Sequence, residues 1–173
     1  TEGNPFLLAI ISSKENMEKL DEIREMSWKL GHPRDVSEEE ITEIVAEGKT
    51  VVSMTMSIHA SEVGGTQMAP ELAYELVTLP ENREILENTV LLLVPCFNPD
   101  GQIMVKEFYD EYLGTEYEGC SPPGLYHKYT GHDNNRDAIN NNMIESQMVS
   151  QLMYRTWFPQ AYIDFHHMGS YGA

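Results

Sequence analysis

His59 and Glu62 stand three positions apart in SIHASEVGG, residues 57–65, where the apolar run VVSMTM gives out. A neutral imidazole and a carboxylate are donor types that hold zinc at about 2.0–2.2 Å, and a catalytic zinc takes three protein ligands and leaves a position for water. A tight turn can bring both side chains to one point, and Gly64 and Gly65 are expected to allow unusual backbone angles beside it. His-x-x-Glu alone also fits a strand-end histidine next to a solvated glutamate. A third ligand must come from elsewhere, and His166 in DFHH, residues 164–167, is the candidate, with His167 its competitor. Adjacent side chains on a strand point to opposite faces, so one of the two is expected to bind.

The elements that would position these residues alternate along the chain. FLLAII (6–11) reads as a short buried strand, after which Ser12 or Ser13 caps a helix that runs to Gly31 and Pro33. Ser37 caps SEEEITEIVAEG, with Glu40 at the capping-box position and Gly48 as the stop. TVVSMTMSI (50–58) and TVLLLVPC (89–96) read as strands buried on both faces, which is the pattern of a parallel sheet. Between them APELAYELVT (69–78) is a helix with Pro70 early. NMIESQMVSQLMYRTW (142–157) is a further helix and AYIDF (161–165) a further strand. Residues 114–141, rich in Gly, Pro and Asn, read as a long polar loop. The expectation is one α/β domain over residues 1–173, with a mostly parallel (mixed) twisted sheet flanked by helices.

In such sheets ligands collect beyond the carboxyl ends of the strands. His59, the segment Asn98-Pro99-Asp100-Gly101 and the pair His166, His167 all fall at such ends. Pro-Asp-Gly is a turn sequence in its own right, so Asp100 is read as structural. Glu71 and Glu75 read as solvated charges, and Met54, Met56, Met148 and Met153 as core. His32 reads as a loop residue, while His127 and His132 lie in the polar loop, where either could approach a substrate.

A formal net charge of -17 at pH 7 argues against nucleic acid or an anionic membrane as partner. No stretch approaches the roughly 18–20 apolar residues that cross a bilayer. Two cysteines, Cys96 and Cys120, do not make a disulfide framework, though one bridge could form in an oxidising compartment.

Taken in order, HASE, NPDG (98–101), DNNRD (133–137) and DFHH resemble the zinc carboxypeptidase (funnelin-type metallocarboxypeptidase) family from about residue 50 onward. The resemblance implies one Zn2+ ion held by His59, Glu62 and His166, with Asp133 taking the Nδ1 proton of His59. It also implies that Asn135 and Arg136 grip the terminal carboxylate of a peptide or protein substrate, for which a guanidinium fork is suited. The activity implied is hydrolysis of the C-terminal peptide bond by a metal-activated water, in a secreted or periplasmic protein. The alternatives are a zinc-dependent acylase or amidase of the same superfamily, or a non-catalytic module that binds peptide carboxylates. Two features depart from the family pattern. No arginine lies in 102–135, where one would polarise the scissile carbonyl, leaving Lys128 or His127 as substitutes. The family's general-base glutamate follows the third zinc ligand at a distance, so it is expected beyond residue 173, as is the rest of the sheet, and no catalytic residue is assigned within the chain.

Overall fold

Four strands make one mixed sheet in the order β1-β3-β2-β4. The structure is a computed structural model and describes residues 2–122 and 126–167. β1 (Ala9–Ile11) lies antiparallel to β3 (Thr89–Val94), whereas β2 (Thr50–Met56) runs parallel to both β3 and β4 (Ala161–Phe165). Around the sheet lie α1 (Lys14–Glu18), α2 (Leu20–Gly31), α3 (Glu38–Glu47), α4 (Gly64–Thr78), α5 (Arg83–Asn88), α6 (Pro99–Tyr112), α7 (Asn134–Asn140) and α8 (Ile144–Gln151). A π-helical segment, Leu152–Trp157, continues α8.

The continuous apolar runs of β2 and β3 are explained by helices on both faces. On one face Met56, Leu91, Leu93 and Ile11 pack with Ala69 and Leu72 of α4. On the other, Val51, Val90 and Leu92 pack with Ile23 of α2 and with Trp157. Val51, Val90 and Leu92 are fully buried, and each such side chain contributes about 1.5–3 kcal/mol relative to leaving it in water. This double-sided core fixes the register and so the end of the sheet at which the polar residues emerge.

Several local expectations need correction. The helix after β1 breaks at Lys19, whose amide bonds back to the Asn16 carbonyl, so two helices replace one. Ser37 caps α3 by accepting from the Glu40 amide at 3.1 Å, but the Glu40 carboxylate turns to Lys29 at 2.9 Å instead of closing a capping box. α4 starts at Gly64, so Pro70 sits inside the helix, on its exposed side. NPDG is the start of α6 rather than a free turn: Asn98 accepts from the Gly101 amide at 2.8 Å, and Pro99 takes the first helical position, where no amide donor is needed. The polar region 114–141 contains α7. Met56 is core and Met54 packs against it, but Met148 is exposed. Cys96 is half-buried and Cys120 exposed, and neither is in a disulfide. The closing segment GSYGA (169–173) lies outside the described residues.

Candidate metal centre

The carboxyl ends of β2, β3 and β4 face the same way because the three strands are parallel, and the polar groups expected at those ends meet there. β2 stops at Met56 because Ser57 adopts φ 52, a left-handed conformation that turns the chain out of the sheet. The Ser57 hydroxyl donates to the Glu62 carbonyl at 2.8 Å and accepts from the Thr66 amide at 3.2 Å, which closes residues 57–66 into one rigid turn. Gly64 and Gly65 do not supply unusual angles, since both are helical residues of α4. Gly64 supplies space: a Cβ there would stand 2.6 Å from His167 Nε2.

Within this turn His59 and Glu62 face one another, with His59 Nδ1 3.0 Å from Glu62 Oε1. His166, at the end of β4, places its own Nδ1 3.0 Å from Glu62 Oε2. Donor atoms of His59, Glu62 and His166 all lie within 4.8 Å of one another, a set of three brought together from positions far apart in the chain. His167 is kept out of it. Its ring nitrogen Nε2 accepts from the Gly64 amide at 3.0 Å, while its backbone amide donates to Glu62 Oε2 at 2.9 Å. Burial opposes ionisation of Glu62, but the His167 amide and the His59 and His166 rings outweigh it and hold the carboxyl below its ordinary value.

Asp133 meets His59 as expected, but on Nε2, at 3.1 Å, so the ring nitrogen left facing Glu62 is Nδ1. The same carboxylate caps α7, accepting from the Asn135 amide at 2.8 Å, and receives the Tyr126 hydroxyl at 3.2 Å. Burial works against its charge too, and the Asn135 amide with His59 and Tyr126 overcomes it, leaving its carboxyl depressed. Tyr126 is held in turn by Asn98, whose side-chain amide donates to the Tyr126 carbonyl at 2.9 Å. A Cβ on Gly101 would collide with that carbonyl, so the NPDG segment supports the site through Tyr126 and Asp133.

The donor set fits a divalent cation. Each of the two rings meets a carboxylate at both nitrogens: His59 faces Glu62 at Nδ1 and Asp133 at Nε2, and His166 faces Glu62 at Nδ1 and Asp164 at Nε2, the last at 2.8 Å. With a cation bound, the proton of each neutral ring would sit on Nε2 toward Asp133 or Asp164, which would leave both Nδ1 lone pairs and the Glu62 oxygens, 3.0 Å apart, to hold it. Ligand atoms around a tetrahedral zinc stand about 3.3 Å apart, close to these spacings.

The other expected residues are placed less simply. The Asn135 side chain lines a cavity of about 160 Å³ whose wall also includes Ile58, Phe97, Tyr162 and Asp164. Arg136 is mostly exposed and pairs with Asp133 at 3.5 Å. Asp137, next to Arg136 in sequence, is fully buried and accepts from the Met143 and Asn142 amides and from His132. His127 is fully buried, stacked on Tyr129 with 4.7 Å between ring centroids. Lys128 is paired with Glu107 and Glu2. Neither of the two therefore offers a free cation for a missing arginine. Asp164 escaped the sequence reading, although a lone acid at an alternating position of a sheet strand was a signal for it.

A search of curated proteins finds no match for the chain. Among solved structures, carboxypeptidase A from Helicoverpa armigera is similar at 18% identity and a TM-score of 0.49, over 92% of this chain and 46% of that one. The chain thus spans under half the length of that relative. A sequence profile described as zinc carboxypeptidase matches residues 1–172, nearly the whole chain, and the chain belongs to the zinc carboxypeptidase family.

Proposed function

We propose that this chain carries the zinc-binding part of a metallocarboxypeptidase that removes C-terminal residues from peptides, with His59, Glu62 and His166 as the metal ligands. The observation that carries this reading is the single carboxylate of Glu62 lying 3.0 Å from the Nδ1 atoms of two histidines, one 3 positions away in the chain and the other 104. When bound there, zinc supplies a Lewis acid for the scissile carbonyl and lowers the pKa of a coordinated water toward about 7. The chain's own residues do the rest of the holding. Asp133 keeps the His59 ring oriented through Nε2. In this reading Arg136, which pairs with Asp133 at 3.5 Å, exchanges that partner for the terminal carboxylate of a substrate, with the help of Asn135, which lines the cavity. Among the described residues, the carboxylates that touch the two histidines are Glu62, Asp133 and Asp164, and each already has partners. In this reading the acceptor of the water's proton is the glutamate that the family resemblance implies, outside the described residues.

Among the described residues no helix is long and apolar enough to cross a membrane. The same proposal places the complete protein in the periplasm or outside the cell, and an export signal in its full coding sequence tests that placement. The test of the metal centre is elemental analysis of protein purified without chelator. About one equivalent of zinc is expected, lost in His59→Ala and His166→Ala and largely kept in His167→Ala. Equal loss from both adjacent histidine variants would overturn the ligand assignment. In the complete enzyme, peptides with a free C-terminus should be cleaved in preference to N-acyl amino acids; the reverse preference would favour an acylase.

A further inference from the structure

The second histidine of the cluster has an outer carboxylate of its own. Asp164 Oδ2 lies 2.8 Å from His166 Nε2, on the side of the ring away from the Nδ1 that faces Glu62. Around His166 this repeats what Asp133 does around His59 at 3.1 Å.

Asp164 is held for this task by the sheet. It sits directly opposite Thr55 in the β2–β4 register, and the two-residue period puts Tyr162 and Asp164 on the same face as Ser53 and Thr55. Thr55, fully buried, donates its hydroxyl to Asp164 Oδ1 at 2.6 Å, and the Tyr162 hydroxyl lies 2.8 Å from Thr55 Oγ1. The carboxylate accepts only, so Thr55 donates to Asp164 and Tyr162 donates to Thr55; with a metal on Nδ1, the proton of a neutral His166 sits on Nε2, toward Asp164. An acid in a sheet strand is unfavourable on propensity and costly to desolvate without partners, and here Thr55 meets one oxygen of Asp164 and His166 the other.

We propose that Asp164, set by Thr55 and Tyr162, is a positioning residue for the metal: it fixes the tautomer and ring orientation of His166 and makes Nδ1 a stronger donor. This rests on the reading of His59, Glu62 and His166 as a zinc site. Both histidine ligands are then backed by a carboxylate, so Glu62, Asp133 and Asp164 together set three negative charges around one divalent ion. Such a site favours retention of the metal. Both oxygens of Asp164 are engaged, one by Thr55 and the other by His166.

The experiment is a Zn2+ competition titration against a chromophoric chelator, run on the purified protein and on Asp164→Asn, Asp164→Ala and Thr55→Val, with folding of each checked by circular dichroism. Loss of an outer carboxylate weakens metal binding about 10–100-fold, and that range is expected for both Asp164 variants, with a smaller loss for Thr55→Val. His166→Ala should no longer retain zinc through purification, but its weaker residual Zn2+ affinity, from His59 and Glu62, can be titrated at high Zn2+, and removing Asp164 in that background should change it no further, because the effect of Asp164 passes through the ring. Asp164→Asn keeps the side chain's shape and Thr55→Val keeps the carboxylate, so the test stands even where Asp164→Ala does not fold. Wild-type affinity in the Asp164 variants would overturn the proposal and leave the metal centre intact. An undiminished Asp164 effect in the His166→Ala background would overturn it as well, since Asp164 would then be acting on the metal by another route. A wild type that takes up no Zn2+ would sink the metal centre itself, and this inference with it.

Discussion

Replacing Asp137 should unfasten the segment that presents Asp133 and Asn135, and the size of the effect follows from what its carboxylate holds. Asp137 is fully buried, accepts from the Met143 amide at 2.8 Å and the Asn142 amide at 3.1 Å, and meets His132 Nε2 at 3.1 Å. Hydrogen bonds to a charged group are worth about 1.5–3 kcal/mol each, but only where the donor cannot turn to water instead. Met143 is buried and Asn142 exposed, so Asp137→Ala should cost the full value of the first bond and a fraction of the second, about 3 kcal/mol in all. Asp137→Asn keeps the shape and one acceptor, and should cost about half as much. With a urea m-value of about 2 kcal/mol/M, the alanine variant should unfold at roughly 1.5 M less urea. The carboxyl is also depressed: burial opposes its charge, but the Met143 and Asn142 amides and other donors, His132 among them, prevail. A depressed acid contributes stability above its ordinary pKa that is lost as pH falls through the folded value. The wild type should therefore lose stability more steeply than Asp137→Asn as pH falls below about 4. Urea titrations of the three proteins at pH 7 and at descending pH measure both effects. An alanine variant within about 1 kcal/mol of wild type, or an asparagine variant as damaged as the alanine one, would refute the reasoning.

Gly101→Ala forces a Cβ onto the Tyr126 carbonyl and the Asn98 side chain, and should destabilise by about 1–3 kcal/mol in chemical denaturation; a neutral outcome would contradict the packing described. Burial pushes the His127 imidazole below its ordinary pKa of 6.5, against the pull of Glu145, so the unfolded chain binds a proton there before the folded one does. Stability should therefore fall as pH drops below about 6.5, and His127→Gln should flatten that part of the pH profile. Zinc at about a hundredfold its dissociation constant should stabilise by about 2.7 kcal/mol, read as a rise in thermal midpoint that chelator reverses and that His166→Ala lacks. In the complete enzyme, Arg136→Ala should slow cleavage of a free-acid peptide by about tenfold or more and leave its amidated counterpart nearly unchanged; equal slowing of both would remove Arg136 from carboxylate recognition.

What could be read from the residues was the part governed by pattern. The β-branched and leucine runs of β2 and β3 announced a sheet buried on both faces, and parallel strands deliver their carboxyl ends to one edge, so order brought the His59–Glu62 turn toward the His166, His167 pair, while the choice of His166 rested on strand alternation and on the family resemblance. α7 was not legible because its seven residues have no apolar period; it exists through the Asp133 cap and the Asp137 carboxylate, both tertiary facts. NPDG was misread because a turn and a helix start share their first residues, and the difference lies in Asn98 bonding the Gly101 amide. The role of Asp164 depends on its register with Thr55, which no single strand records. Which imidazole nitrogen faces Asp133 is likewise a matter of ring orientation, set by the turn at Ser57.

The separation of 104 positions between Glu62 and His166 has a consequence for the birth of the protein. Chains are synthesised at about 5–20 residues per second, so the His59–Glu62 turn exists for roughly 5–20 s before its partner histidine is made. β4 cannot take its place beside β2 during that interval, and Thr55 waits at the sheet edge with its hydroxyl unpaired by Asp164. A nascent chain that met zinc early would have two of the three proposed ligands, His59 and Glu62, and no support from Asp164. On the proposed reading, loading of the metal reports that β4 has docked, and a ribosome stalled before residue 161 should expose a chain that lacks β4 and the third proposed ligand.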